Sequence, residues 1–312
     1  MPRHKLILDR GNQRQRVVDR RGLGRLRDST ITKTTLKRYL LAVGHFYYWA
    51  WLTYGTVGDT WETLEAQTCE WIEALWEDGD AKAIAADTLS GIQHLLSTKR
   101  ILPGAWRLLR AWERRELPSR APPLPIEVAL ALAGFAASIG RRDVAALILL
   151  GYHGMMRTTE FLTLTSGNVW LDESYRGVVA LEWSKMGQRR GMTEYVTIDD
   201  NSVGARLSAV MRKLPSDAPI LQGPVVEFRK IFNDGMAALK LTDANYRPYS
   251  IRRGGASFDF VSFGDLQRTM SRGRWNSTRV ARIYIVEGWQ ILNSLSLSRE
   301  TRNLCEYFRS FL

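Results

Sequence analysis

Two arginines stand side by side at Arg252 and Arg253, followed by Gly254, Gly255 and Ala256; Trp275 ends a Gly273-x-Trp275 run, and Tyr284 stands alone nine residues later. Guanidinium groups are planar, forked donors that stay charged at any working pH, so a pair of them suits the oxygens of an anion. An indole N–H supplies a further donor. A phenol has a pKa of about 10 and becomes a nucleophile only when a neighbour takes its proton or cations hold the phenolate. Upstream, Arg157 and Glu160 are three residues apart, which puts both on one helix face, where the carboxylate can orient the guanidinium. Alone, that spacing describes an ordinary surface ion pair. Read together, these residue types are what the attack of a phenol on an anionic centre needs.

The order of arginine pair, small residues, G-x-W and isolated tyrosine resembles the second half of the catalytic domain of the tyrosine recombinases, the phage-integrase family. The resemblance implies the roles of individual residues. Arg157, with Glu160, matches the R-x-x-E helix start that carries the first catalytic arginine, and Arg252 matches the second. These two would hold the nonbridging oxygens of a DNA phosphate, whose negative charge grows as it is attacked. Arg253 is assigned to structure or to a flanking phosphate. Trp275 occupies a position where the family has His or Trp and would donate its N–H to the same oxygens. Tyr284 is the nucleophile, with Tyr307 the other candidate. Lys185, in Ser184-Lys185, is the nearest match to a hairpin lysine that protonates the departing 5′ oxygen; Arg189 and Arg190 replace it if the register differs. The family's H-x-x-R element usually begins with His, and here that place is taken by Tyr249, which donates a hydrogen bond but is a poor base near neutral pH. Slower cleavage, or a proton route through solvent, is the implication. No cofactor is required, and no carboxylate or histidine spacing supplies a metal site.

Such side chains must be held by a scaffold, and the patterning points to a mainly α chain with a small β-hairpin or sheet (α+β). Buried helices are expected over 126–139 and 143–153, strands over 177–183 and 195–198 with a basic tip between them, then helices over 202–213 and 224–239. A catalytic domain over 126–289 would be followed by a tail helix, 290–312. In the family such a tail often docks on a neighbouring protomer; docking on its own chain is the alternative.

Before the catalytic part, the spacing of Leu36, Leu40, Val43, Tyr47 and Ala50 opens an all-helical unit over 29–115, with further helices near 61–76, 81–96 and 105–115. By the resemblance it is a core-binding domain. Trp49, Trp51, Trp71, Trp76, Trp106 and Trp112 could stack bases, but aromatics at helical spacing favour the core reading. The Pro-rich 116–125 reads as a stiff linker, which with the two domains would form a C-shaped clamp on a duplex. Residues 1–28 form a basic arm, with nine Lys/Arg against two Asp over 2–27, that lies along DNA phosphates, acts as a nuclear-import patch or is a solvated tail.

A formal net charge of +12 over 312 residues favours a polyanionic partner, and 45% hydrophobic residues fit a globular chain long enough for two domains. Cys69 and Cys305 form no C-x-x-C pair, no apolar run is long enough for a membrane span, and the basic start lacks a signal-peptide core, so an intracellular, DNA-associated protein is expected. The reading is a site-specific recombinase or integrase, of a mobile element, working through a 3′-phosphotyrosyl intermediate on double-stranded DNA as a homo-tetramer on two sites with tail exchange. A recombinase-derived DNA-binding protein with lost or weak catalysis, and a type IB topoisomerase-like relaxing enzyme, are the alternatives.

Overall fold

The computed structural model describes residues 17, 20, 21, 25–98, 101–116, 120–181 and 193–312, and the chain divides into two compact units, Met1–Ser119 and Arg120–Leu312. Among the described residues no helix is long and apolar enough to cross a membrane.

The first unit contains helices α1 (Lys33–Tyr54), α2 (Trp61–Glu77), α3 (Lys82–Leu95) and α4 (Pro103–Arg115). Each start has a local cause. The Thr32 hydroxyl accepts the Thr35 N–H at 3.1 Å, Thr60 does the same for Thr63 at 3.2 Å, and α4 opens on a proline, whose missing N–H costs nothing there. The core is built from Val43, Phe46 and Ala50 of α1, Trp71, Ile72 and Leu75 of α2, Leu89 and Ile92 of α3, and Leu109 and Trp112 of α4. The expected α1 stripe is rotated: Leu40 and Tyr47 are exposed, because the tighter Ala42, Val43, Phe46, Ala50 series forms the buried face. Of the six tryptophans, Trp71 and Trp112 are buried and Trp49 and Trp106 pack on the core, whereas Trp51 and Trp76 are exposed.

The second unit begins within the segment expected to be a linker. Pro122 to Pro125 are buried, Leu124 donates its N–H to the Ser250 carbonyl at 3.1 Å, and the Pro123 carbonyl accepts from Asn293 at 3.2 Å. Helices α5 (Ile126–Ser138) and α6 (Arg142–His153) are apolar on nearly every face and lie in the centre of the core. A short α7 (Thr158–Leu162) follows, then an antiparallel sheet in the order β1 (Val169–Leu171), β2 (Gly177–Leu181), β3 (Glu194–Ile198), with Val179 opposite both Val169 and Val196. Strand β1 was not expected, and the hairpin segment 182–192 lies outside the described residues. Helices α8 (Asn201–Met211), α9 (Val225–Ala238), α10 (Pro248–Phe263), α11 (Leu266–Gly273) and α12 (Thr278–Tyr284) complete the scaffold of the site. On α10, a Cβ at Gly254 would lie 2.1 Å from the Leu124 carbonyl oxygen and one at Gly255 2.0 Å from that of Tyr152. Only glycine lets α10 approach α6 this closely.

Where one tail helix was expected over 290–312, there are two, α13 (Glu287–Leu295) and α14 (Arg299–Arg309), because Ser298 caps a new helix by accepting the Thr301 N–H at 3.0 Å. Helix α14 docks on its own chain. Phe308 meets Phe135 edge to face at 5.4 Å, and Arg206 donates to the Leu312 carbonyl at 2.7 Å.

Candidate active site

After α6 the chain turns through Gly154 and Met155, the latter at φ +45°, and Arg157 becomes the residue that precedes α7. Its N–H donates to Glu160 Oε2 at 2.8 Å and its guanidinium pairs with the same carboxylate. Helix α10 brings Arg252 to the same place from 95 residues away in sequence. Arg252 is 1% exposed, donates to the Met155 carbonyl and to the Gly273 carbonyl (2.9 Å), and lies 3.8 Å from Glu160 Oε2. A guanidinium has five N–H donors. Those two bonds leave three, and Nε has no partner among the described residues.

The third guanidinium at Glu160 belongs to Arg274, which the sequence reading missed. It lies 2.8 Å from Glu160 Oε2 and donates to the Gly154 carbonyl at 3.2 Å, with its side chain 7% exposed. The residue caps the end of α11 in the left-handed conformation, φ +58°. A cation between Gly273 and Trp275, at a helix end where Gly or Asn is the easy choice, was the available signal. Burial alone would raise the Glu160 carboxyl, but Arg274, Arg157 and Arg252 hold it below its ordinary value, so it stays ionised. Burial, then Arg274 and Arg157, lower Arg252 to about 10, which leaves it charged at neutral pH.

The aromatic residues lie against this cluster. Trp275 stacks on Tyr284 with ring centroids 4.7 Å apart, and the Arg252 Cζ is 5.0 Å from the first ring and 5.1 Å from the second. Gly273 has to be glycine, since a Cβ there would lie 2.1 Å from the Trp275 ring. Trp275 is buried, yet its Nε1 has no hydrogen-bond partner among the described residues. Tyr284 ends α12 and is half-buried; Ser257 of α10 pins the chain there, donating to the Tyr284 carbonyl (3.2 Å) and accepting the Val286 N–H (3.0 Å). Tyr249 is 41% exposed, with its ring 5.9 Å from that of Tyr284. Burial and then the neighbouring Tyr284 hydroxyl push its pKa up, against Arg252 and Arg253, so it remains a protonated phenol and a hydrogen-bond donor.

The structure thus brings Arg157, Glu160, Tyr249, Arg252, Trp275 and Tyr284 together and adds Arg274. Arg253 is on the neighbouring side of α10, with Trp289. Lys185 and its alternatives Arg189 and Arg190 lie outside the described residues. Tyr307 is on α14, against Phe308 and Phe311. Behind the site, Arg272 of α11 pairs with Asp199 and, at 3.2 Å, with Asp259, and donates to the His153 carbonyl at 3.1 Å; His153 Nε2 accepts the Asp199 N–H at 3.1 Å.

No family model matches the chain, and no curated protein matches it. Solved structures do. The Tn1549 transposon integrase in complex with transposon right end DNA gives a TM-score of 0.58 at 12% identity over 90% of this chain and 98% of that one. The XerH site-specific recombinase bound to a palindromic difH substrate, a post-cleavage complex, gives 0.57 at 12% over 85% and 79%. A lambda integrase dimer bound to a COC′ core site gives 0.56 at 12% over 84% and 74%. The chain has the fold of these tyrosine recombinases and integrases.

Proposed function

We propose that this chain, which carries the tyrosine-recombinase fold, is a site-specific DNA recombinase or integrase that cuts and rejoins DNA through a phosphotyrosyl intermediate. One observation carries the reading: three guanidiniums, those of Arg252 and Arg274 buried and that of Arg157 partly exposed, converge on the Glu160 carboxylate directly beside a phenol and an indole N–H that has no partner among the described residues. Three cations against two carboxylates, Glu160 and, 3.9 Å from Arg274, Glu194, leave excess positive charge, which a phosphodiester would neutralise.

In this reading the Tyr284 oxygen attacks phosphorus, the Tyr O–P bond forms and the P–O5′ bond breaks, leaving a 3′-phosphotyrosine and a free 5′ hydroxyl. Arg157, the remaining donors of Arg252 and the Trp275 N–H take the nonbridging oxygens, where charge develops. Glu160 and Arg274 keep the two arginines in place. The Tyr284 proton passes to solvent, because Tyr249 is a phenol and serves as a donor. Lys185 is assigned the proton for the 5′ oxygen. As the stacked rings of Trp275 and Tyr284 lie against Arg252, the phosphate enters once Tyr284 swings away. Double-stranded DNA is the partner; a tetramer on two sites would require α14 to leave α5 of its own chain and dock on a neighbour. A mobile-element origin rests on the likeness to a transposon integrase and to lambda integrase.

Tyr249 in the usual histidine position favours a second reading, a DNA-binding protein with weak turnover. Duplexes enriched by the chain from a random-sequence pool, then nicked to trap the covalent product, separate the two. A denaturant-resistant protein–DNA adduct is expected; specific binding with no adduct would support the second reading.

A further inference from the structure

Arg253 is a buried cation without an anion. It is 3% exposed, yet among the described residues no carboxylate lies within ion-pair distance, no acceptor takes a hydrogen bond from its guanidinium, and its Nε is buried and unpartnered. The Trp289 ring lies 5.8 Å from its Cζ. After burial, the largest influence on its charge is another cation, Arg120, which opposes it, ahead of Tyr249 and Tyr284, which favour it. Neighbouring Arg252 is equally buried and its Nε is likewise unpartnered, but it donates to two carbonyls and has the Glu160 carboxylate 3.8 Å away. Folding alone does not call for Arg253: an unpaired buried charge opposes folding, and a methionine of similar reach would fill the space without that penalty. A cation kept under these conditions is explained by an anion that arrives from outside.

The position says which anion. Arg253 and Tyr249 are four residues apart, on one face of α10, and the Tyr249 ring lies beside the Tyr284 ring. The same side of the helix therefore carries both the nucleophile's neighbour and the unpaired guanidinium, with Arg120 exposed nearby.

Resting on the recombinase reading above, we propose that Arg253, backed by the Trp289 ring and assisted by Arg120, forms a second phosphate subsite that holds a backbone phosphate flanking the one attacked by Tyr284. Anchoring two phosphates of one strand fixes which phosphate faces the nucleophile, a task distinct from stabilising the attacked one.

The test uses the full chain and a labelled duplex that the wild type has enriched from a random-sequence pool. Binding is measured from 50 to 200 mM salt for wild type, Arg253→Met and Arg253→Lys, alongside thermal unfolding. The proposal expects Arg253→Met to lower the slope of log affinity against log salt by about 1, so that its deficit relative to wild type shrinks about threefold across that range. It also expects thermal stability to be unchanged or higher, and Arg253→Lys to restore the slope. On duplexes with single neutral methylphosphonates, one position flanking the trapped phosphotyrosine should weaken the wild type and leave Arg253→Met unaffected. An unchanged slope with a lowered unfolding temperature would make Arg253 a structural residue and overturn the subsite while leaving the recombinase reading intact. A wild type that enriches no duplex overturns both.

Discussion

Trp112 in the first unit and Trp275 in the second are equally buried and both pack in aromatic company, but their indole N–H groups fare differently. The Trp112 N–H donates to the Glu116 carboxylate, and that of Trp71 reaches the Thr88 hydroxyl at 3.4 Å. The Trp275 N–H reaches nothing among the described residues. The contrast extends to charge. Among the described residues, the buried polar side chains of the first unit are Gln67, Thr68 and Thr88, whereas the second buries the charged Asp143, Glu160, Arg252, Arg253 and Asp259. A tryptophan that belongs to a core satisfies its polar end inside the fold. In the function proposed above, Trp275 keeps its polar end free for the attacked phosphate. Burial therefore does not distinguish these two tryptophans; the fate of the indole N–H does.

The contrast can be broken by experiment. Tyr284→Phe removes the attacking oxygen and no packing, so it should abolish the covalent adduct with DNA affinity and unfolding temperature nearly unchanged; an adduct that survives would move the nucleophile, with Tyr307 next to be tried. Arg157→Ala and Arg252→Ala should each slow single-turnover cleavage by about 10²–10³-fold, the loss of about 2.7–4 kcal/mol that follows removal of one oxyanion donor. Rates within threefold of wild type would mean that these arginines do not hold the attacked phosphate. Trp112→Phe and Trp275→Phe remove the same ring volume but only the first removes a made hydrogen bond, so denaturant midpoints should show Trp112→Phe less stable by about 1–2 kcal/mol more. Equal losses would erase the distinction.

The smallest effect concerns pH. Burial, and then Arg272, lower the His153 pKa from its ordinary 6.5. The unfolded chain then binds the proton more readily than the folded one, so stability is complete above about 6.5 and declines as pH falls through that value toward the folded pKa. Arg272 and the carboxylates of Asp199, Asp200 and Asp259 are the charges facing this ring. Unfolding measured at pH 5 and pH 8 should show a smaller difference in His153→Gln than in wild type.

Much of this site was legible because its chemistry is carried by residue types that few other tasks require. Arg157, Arg252, Trp275 and Tyr284 could be listed from their types and order, and the structure brings them within one cluster. Arg274 could not be, because its role depends on a backbone conformation that propensity assigns to glycine. The burial of Leu124 was equally hidden: the proline run announces an extended chain, but what it packs against is Gly254 on α10, more than a hundred residues later. The rotated face of α1 shows the limit of periodicity, since Leu40 and Tyr47 fit one helical stripe and Val43 and Phe46 another, and only the partner helices choose between them.

The left-handed backbone at Arg274 has an evolutionary consequence. A side chain other than glycine costs about 1–2 kcal/mol in that conformation, so a lineage released from selection for its Glu160 contact would gain stability by drifting to glycine there. Position 274 is then a marker that can be scored in relatives of this chain: those retaining arginine should keep the acidic partner at the position of Glu160, and those that have lost the acid should show glycine.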